Sequence, residues 1–251
     1  MPTASNSLPI PTETLIPTET TIPTATPTPC IPSGDQTAIN AALRGAGATA
    51  VLCQGAVFNL TAPVIINADR QQIYTEGFPT DERRATLRIV SPDLTTAVIM
   101  RDYSDVVLSH VIVDGNRPEL GYQGGDALVY AGGSSSGQII CHVRIIEPRS
   151  WSALHLIQGH PSPAPPCTNA LVEENEIGPA GSSNETWADG ISLACTNTIV
   201  RNNRIMDATD GGIVIFGAPG SLIEGNLIRT VILFVANKSN GYTILIYLFP
   251  D

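Results

Sequence analysis

One seven-residue phrase returns through the last third of this 251-residue chain and leaves few folds open to it. It reads Leu171-Val172-Glu173-Glu174-Asn175-Glu176-Ile177, then Ile199-Val200-Arg201-Asn202-Asn203-Arg204-Ile205, then Leu222-Ile223-Glu224-Gly225-Asn226-Leu227-Ile228. Weaker copies lie upstream at Ile139–Ile145 and Val107–Val113. The central column falls at positions 111, 143, 175, 203 and 226, in steps of 32, 32, 28 and 23 residues. A unit recurring in this way cannot bury its apolar side alone and must stack on its own copies. The steps are too short for helix pairs with loops, and the apolar–polar alternation within each phrase belongs to strands. The pattern predicts an all-β fold, a single-stranded right-handed parallel β-helix over residues 34–230. Asn175, Asn203 and Asn226 are expected to form an internal hydrogen-bonded ladder that satisfies turn backbone.

The flanks differ in kind. Residues 1–33 carry a six-residue repeat of Pro and Thr (Ile10-Pro11-Thr12-Glu13-Thr14, Ile16-Pro17-Thr18-Glu19-Thr20, Ile22-Pro23-Thr24-Ala25-Thr26), which predicts a disordered, extended linker suited to O-glycosylation. Met1-Pro2 opens on it with no basic or apolar leader, so the expectation is a secreted chain that lacks its natural start. Ser33-Gly34-Asp35-Gln36-Thr37 then introduces an amphipathic stretch, Ala38–Arg44, with Asp35 or Ser33 as the N-cap and Gly45 as the stop. This short helix should cover the first coil and protect its strand edges. From Val231 to Asp251 the phrase disappears, and this tail is expected to be foreign to the fold, which would then be truncated.

Cysteine usage supports an oxidising compartment. Cys167 and Cys195 each stand eight residues before a column Asn, so they should sit about 4.8 Å apart on adjacent coils, within disulfide range. Cys30 and Cys53 bracket the short helix and are expected to be disulfide-bonded, which leaves Cys141 as a buried, inert thiol. Glycosylation sequons occur at Asn59, Asn184 and Asn237. The net charge of −10 argues against a nucleic-acid partner, and no window reaches the roughly 18 apolar residues of a membrane span. A monomer is expected.

Gly34-Asp35-Gln36-Thr37-Ala38-Ile39-Asn40-Ala41-Ala42-Leu43, followed by Val51-Leu52-Cys53-Gln54-Gly55-Ala56-Val57-Phe58, resembles the entry of the pectin-lyase-like superfamily. There an Asp-x-Thr helix leads into a first strand of the form hydrophobic, Pro-Gly-x-Tyr. The resemblance spans about residues 33–230 and is specific for the fold, whereas the superfamily's chemistry ranges over hydrolases, lyases, epimerases and tailspikes. Trp187-Ala188-Asp189-Gly190 and Ala208-Thr209-Asp210-Gly211 are similar to the Asn-Thr-Asp-Gly and Gly-Asp-Asp elements of polygalacturonase-type glycoside hydrolases. One Asp of the second element is missing, and the later Gly-His-Gly and Arg-Ile-Lys elements are absent.

The candidate site follows from this spacing. Asp189 and Asp210 are 21 residues apart, close to one coil, and should be near neighbours on one face, with Asp207 able to join them. Asp126 and Ser152 occupy the matching position upstream, and His155 matches Ser192. Trp151 and Trp187 flank this column as surfaces on which sugar rings stack. Paired carboxylates supply the acid and base of glycosidic hydrolysis, so the reading is a secreted protein that cleaves a uronate-containing polysaccharide without a cofactor. The alternative is β-elimination by a lyase or epimerase, with Ca²⁺ held by Asp189, Asp207 and Asp210, His155 as base, and Arg201 or Arg204 as the basic partner. A third reading is a non-catalytic carbohydrate-binding β-helix. The discriminating feature is whether Asp189 and Asp210 face one solvent cleft beside a basic residue or are consumed by turn amides.

Overall fold

The computed structural model describes residues 29–158, 166–182 and 186–229. The Pro/Thr repeat, the sequons at Asn184 and Asn237, and the tail from Val231 lie outside the described residues.

Each repeated phrase forms two strands and the corner between them. Leu171–Glu173 is the first strand, Glu174 and Asn175 make the corner, and Glu176–Ile177 is the second. A third strand completes the circuit. The chain therefore visits three parallel sheets in fixed rotation, with seven, seven and six strands among the described residues. The first sheet runs from Thr49–Leu52 to Leu222–Glu224, the second from Val57–Leu60 to Leu227–Arg229, and the third from Val64–Ile65 to Ile213–Ile215. Within these three sheets strands pair with their counterparts one circuit away and not with their sequence neighbours, an arrangement consistent with a parallel β-helix.

Register turns the repeat into a core. In the first sheet Ile73, Leu108, Ile140, Val172 and Val200 stand in one line and are buried. In the second sheet Leu87, Val113, Ile145, Ile177 and Ile205 do the same. A one-residue slip would turn each line to solvent, so the buried face locks the stacking.

The corners hold the expected ladder. Asn203 Oδ1 accepts from the Asn175 backbone amide at 3.0 Å and from Asn175 Nδ2 at 2.8 Å. Its own Nδ2 donates to the Val172 carbonyl and to Asn226 Oδ1, each at 2.9 Å. Asn175 repeats this upward, accepting from Val143 N and donating to the Ile140 carbonyl. The residue before each column position takes a left-handed backbone: His110, His142, Glu174, Asn202 and Gly225 have φ between 50° and 63°.

The N-terminal helix is Gln36–Ala42, capped by Asp35, whose carboxylate accepts from Thr37 N at 2.7 Å. Ile39 and Leu43 are buried over the first coil. Asn40 and Gln36 side chains accept from the amides of Ile65 and Thr61, which occupies strand-edge donors that would otherwise face outward. Pairing begins earlier than Gly34: Ile31, inside the stretch expected as linker, bridges Leu52, and its amide donates to the Val51 carbonyl. Both expected disulfides are present, Cys30–Cys53 and Cys167–Cys195, with Cα separations of 4.9 and 4.7 Å. Cys141 is half-buried rather than buried, because its strand position faces out from the first sheet beside Glu173. No helix among the described residues is long and apolar enough to cross a membrane.

Candidate functional site

The third sheet carries most of the chemistry expected from the sequence. Its strand Ser152–Ile157 pairs with Asp189–Leu193 so that Ser152 stands beside Asp189 and His155 beside Ser192, as the spacing suggested. The same strand pairs with Val129–Gly132, which sets Tyr130 beside His155.

Asp189 is only 3 % exposed. Its Oδ1 accepts from the Gly211 amide at 3.1 Å and its Oδ2 from the Ser192 hydroxyl at 2.7 Å. Ser192 Oγ lies 2.8 Å from Ser152 Oγ, and Ser152 Oγ lies 3.1 Å from the Leu154 carbonyl oxygen. Burial pushes the Asp189 carboxyl up to about 6; the two hydrogen bonds oppose that rise and the nearby Asp210 charge adds to it. A carboxyl held there can keep its proton in mildly acidic water, as a general acid must.

Asp189 and Ser192 meet because this strand departs from regular pleating. Residues three apart on a regular strand point to opposite faces, yet these two are hydrogen-bonded. Gly190 makes the departure possible, since a Cβ there would lie 2.6 Å from the Gly212 carbonyl oxygen and 2.7 Å from Ile205 Cγ2. On the partner strand the successive residues Ala153 and Leu154 are both fully buried, which breaks alternation at the same level.

The second carboxylate is offset by one residue. Ile191 pairs with Ile213, so continuing the register sets Gly211 beside Asp189. Asp210 is half-buried, and its amide donates to the Ala188 carbonyl at 3.2 Å. Asp207 is an exposed corner residue with φ 52°, and its backbone bridges Ala180 and Arg229. Among the described residues no three His, Cys, Asp or Glu side chains gather into a group that could hold a cation.

Arg201 and Arg204 stand on other faces. Arg201 belongs to the first sheet and is paired with Glu173 at 2.7 Å; Arg204 belongs to the second sheet, exposed. One coil of sequence separation does not decide which of three faces a residue occupies. A basic group on the third-sheet side is Arg101, whose guanidinium carbon lies 5.5 Å from the Tyr130 ring centroid while Nε pairs with Asp102.

Aromatic groups gather beside the carboxyls. The His155 ring contacts Trp151 edge-on at 4.9 Å and Tyr130 at 5.7 Å. Trp151 is 38 % exposed and Trp187 55 %. Burial lowers the His155 pKa, and the exposed Asp126 opposes that shift. Trp187 sits on a small antiparallel ribbon, Gly181–Ser182 with Thr186–Trp187, outside the three parallel sheets. Asn59 is exposed on the second sheet. Sequence reading missed Tyr130, Arg101 and the Ser192–Ser152 pair. Register alone would have found Tyr130, and nothing local signals the pleating fault that joins the serines to Asp189.

Comparison of the chain with protein families, with curated proteins and with solved structures finds no match in any of the three.

Proposed function

We propose that this protein is a secreted, carbohydrate-active right-handed parallel β-helix of the pectin-lyase-like kind, which receives a polysaccharide on the outer side of its third sheet and hydrolyses it there. The observation that carries this reading is the register that sets Ser152 beside Asp189 and Gly211 opposite it, so that Asp189 and Asp210 lie close on one sheet while the exposed Trp151 and Trp187 adjoin the same strands. In this reading Asp189 donates a proton to the leaving oxygen and Asp210 acts as the base or nucleophile. Trp151, Trp187 and Tyr130 offer ring faces and edges to sugar rings, and Asp126 and His155 offer polar contacts. Right-handedness is supported by the near-universal hand of parallel crossovers, and secretion by the two disulfides.

A second reading rests on a specific observation. Both Asp189 oxygens already accept hydrogen bonds, one of them from a turn amide. That favours a binding β-helix in which Asp189 braces the wall of a sugar site. The two separate in a digestion panel on folded protein, scored for reducing ends and for the ultraviolet absorbance of unsaturated products. Hydrolysis predicts reducing ends without absorbance, lost in Asp189→Asn and Asp210→Asn. Absorbance would assign elimination instead. Retention on a polysaccharide that Trp151→Ala abolishes, with no cleavage of any substrate, would establish the binding module.

A further inference from the structure

The three polar side chains under the third-sheet surface form a chain with one open choice of direction. Ser152 and Ser192 are fully buried and Asp189 nearly so. Asp189 Oδ2 is 2.7 Å from Ser192 Oγ, Ser192 Oγ is 2.8 Å from Ser152 Oγ, and Ser152 Oγ is 3.1 Å from the Leu154 carbonyl oxygen. The carbonyl can only accept. Each hydroxyl has one proton, so the state of the carboxyl dictates which way both point.

We infer that Ser192 and Ser152 are positioning residues that hold the Asp189 carboxyl in either protonation state by reversing the direction of their hydroxyls. With Asp189 protonated, its Oδ2–H donates to Ser192, Ser192 donates to Ser152, and Ser152 donates to the Leu154 carbonyl. When the proton leaves, Ser192 turns to donate to the carboxylate and Ser152 turns to donate to Ser192. No proton is created or consumed within the chain; only the one lost from Asp189 departs. Every hydroxyl donates one bond in both states, so neither state strands a buried donor. The Gly211 amide holds Oδ1 throughout.

The placement couples this chain to the exposed site. Ser152 opens the strand directly after Trp151, and Leu154 precedes His155 on that strand. The charged group that bears on Asp189 is Asp210, from the segment leading into the neighbouring strand.

The inference concerns how the fold holds the Asp189 carboxyl, goes beyond the proposed hydrolysis, and is tested without catalysis. The titration of Asp189 is followed by carboxyl-carbon NMR in the parent, in Ser192→Ala and in Ser152→Ala. Loss of a hydrogen bond to a buried carboxylate should raise its pKa by about one pH unit. Ser192→Ala should show that rise. Ser152→Ala should show a smaller rise in the same direction, although Ser152 does not touch the carboxyl. Ser152→Thr, which keeps the hydroxyl, should restore the parent value. If Ser152→Ala titrates like the parent, the relay is wrong and Ser152 is only packing. Should Ser192→Ala fail to fold, Ser152→Ala and Ser152→Thr decide the matter between them. A digestion panel silent on all substrates, with the titration shifts present, would remove the proposed hydrolysis and leave the relay standing.

Discussion

Asp189 concentrates the energetic tension of the molecule in one side chain. Its folded pKa is about 6 against an ordinary value of 3.8, so the folded state binds its proton more tightly than the unfolded chain does. The stability this contributes is fully present below pH ~3.8 and is lost as pH rises through ~6. The two values correspond to about 3 kcal/mol as an upper bound. Asn at this position can accept from Gly211 and donate to Ser192 without ionising. Asp189→Asn should therefore match the parent's urea midpoint near pH 4 and exceed it near pH 7.5. Parallel pH curves for the two proteins would show that Asp189 is not the strained group. The comparison has to be between variant and parent, because His110 titrates the opposite way. Burial, with the neighbouring His142 and Arg84 charges, depresses His110 to about 4, and its stabilising contribution disappears as pH falls from 6.5 towards that value.

Two devices at the corner between the first and second sheets divide the solenoid at the level of its elements. Downstream, Asn175, Asn203 and Asn226 satisfy corner backbone from inside. Upstream, the column holds Val111 and Val143, and the outer corner carries a run of ring contacts: Tyr74 with Phe78 at 4.7 Å, Phe78 with His110 at 5.2 Å, and His110 with His142 at 4.5 Å. Tyr74 and Phe78 stack, Phe78 meets His110 edge-on and the two imidazoles are tilted, and this run of ring contacts links successive coils along the corner. Asn203 sits mid-ladder and is 1 % exposed, with hydrogen bonds to four groups. Asn203→Ala leaves buried donors and an acceptor unpaired and should cost about 2–4 kcal/mol in equilibrium unfolding. Asn226→Ala, at the ladder's less buried end, should cost less. Equal losses at both would mean that the ladder contributes through packing alone.

The disulfides act on the molecule as a whole by tying circuits together. Cys167–Cys195 closes 28 residues and Cys30–Cys53 closes 23, so each removes roughly 3–4 kcal/mol of unfolded-state freedom in a chain-entropy treatment. Reduction should lower the melting temperature markedly. Alkylation at neutral pH without reductant should modify Cys141 alone and slowly, since burial and the nearby Glu173 and Glu174 charges push its thiol up to about 11. Rapid labelling of further cysteines in the folded protein would contradict the pairing.

The repeat carried the architecture openly. Phrase spacing and alternation placed the strands, the Asn column and the Cys167–Cys195 bridge, because a stack of like units writes its period into the chain. Asp35 and the short helix were equally readable, since capping is local chemistry. Face and exposure were not. Arg201 and Arg204 read as companions of Asp189, yet they stand on the first and second sheets, because the chain changes sheets at corners only a few residues long. The offset of Asp210 follows from the 22-residue register that pairs Ile191 with Ile213, and the burial of Asp189 and its bond to Ser192 accompany a pleating fault at Gly190 and Ala153. Such a fault depends on which backbone lies against which, and that is settled only when one coil packs on the next.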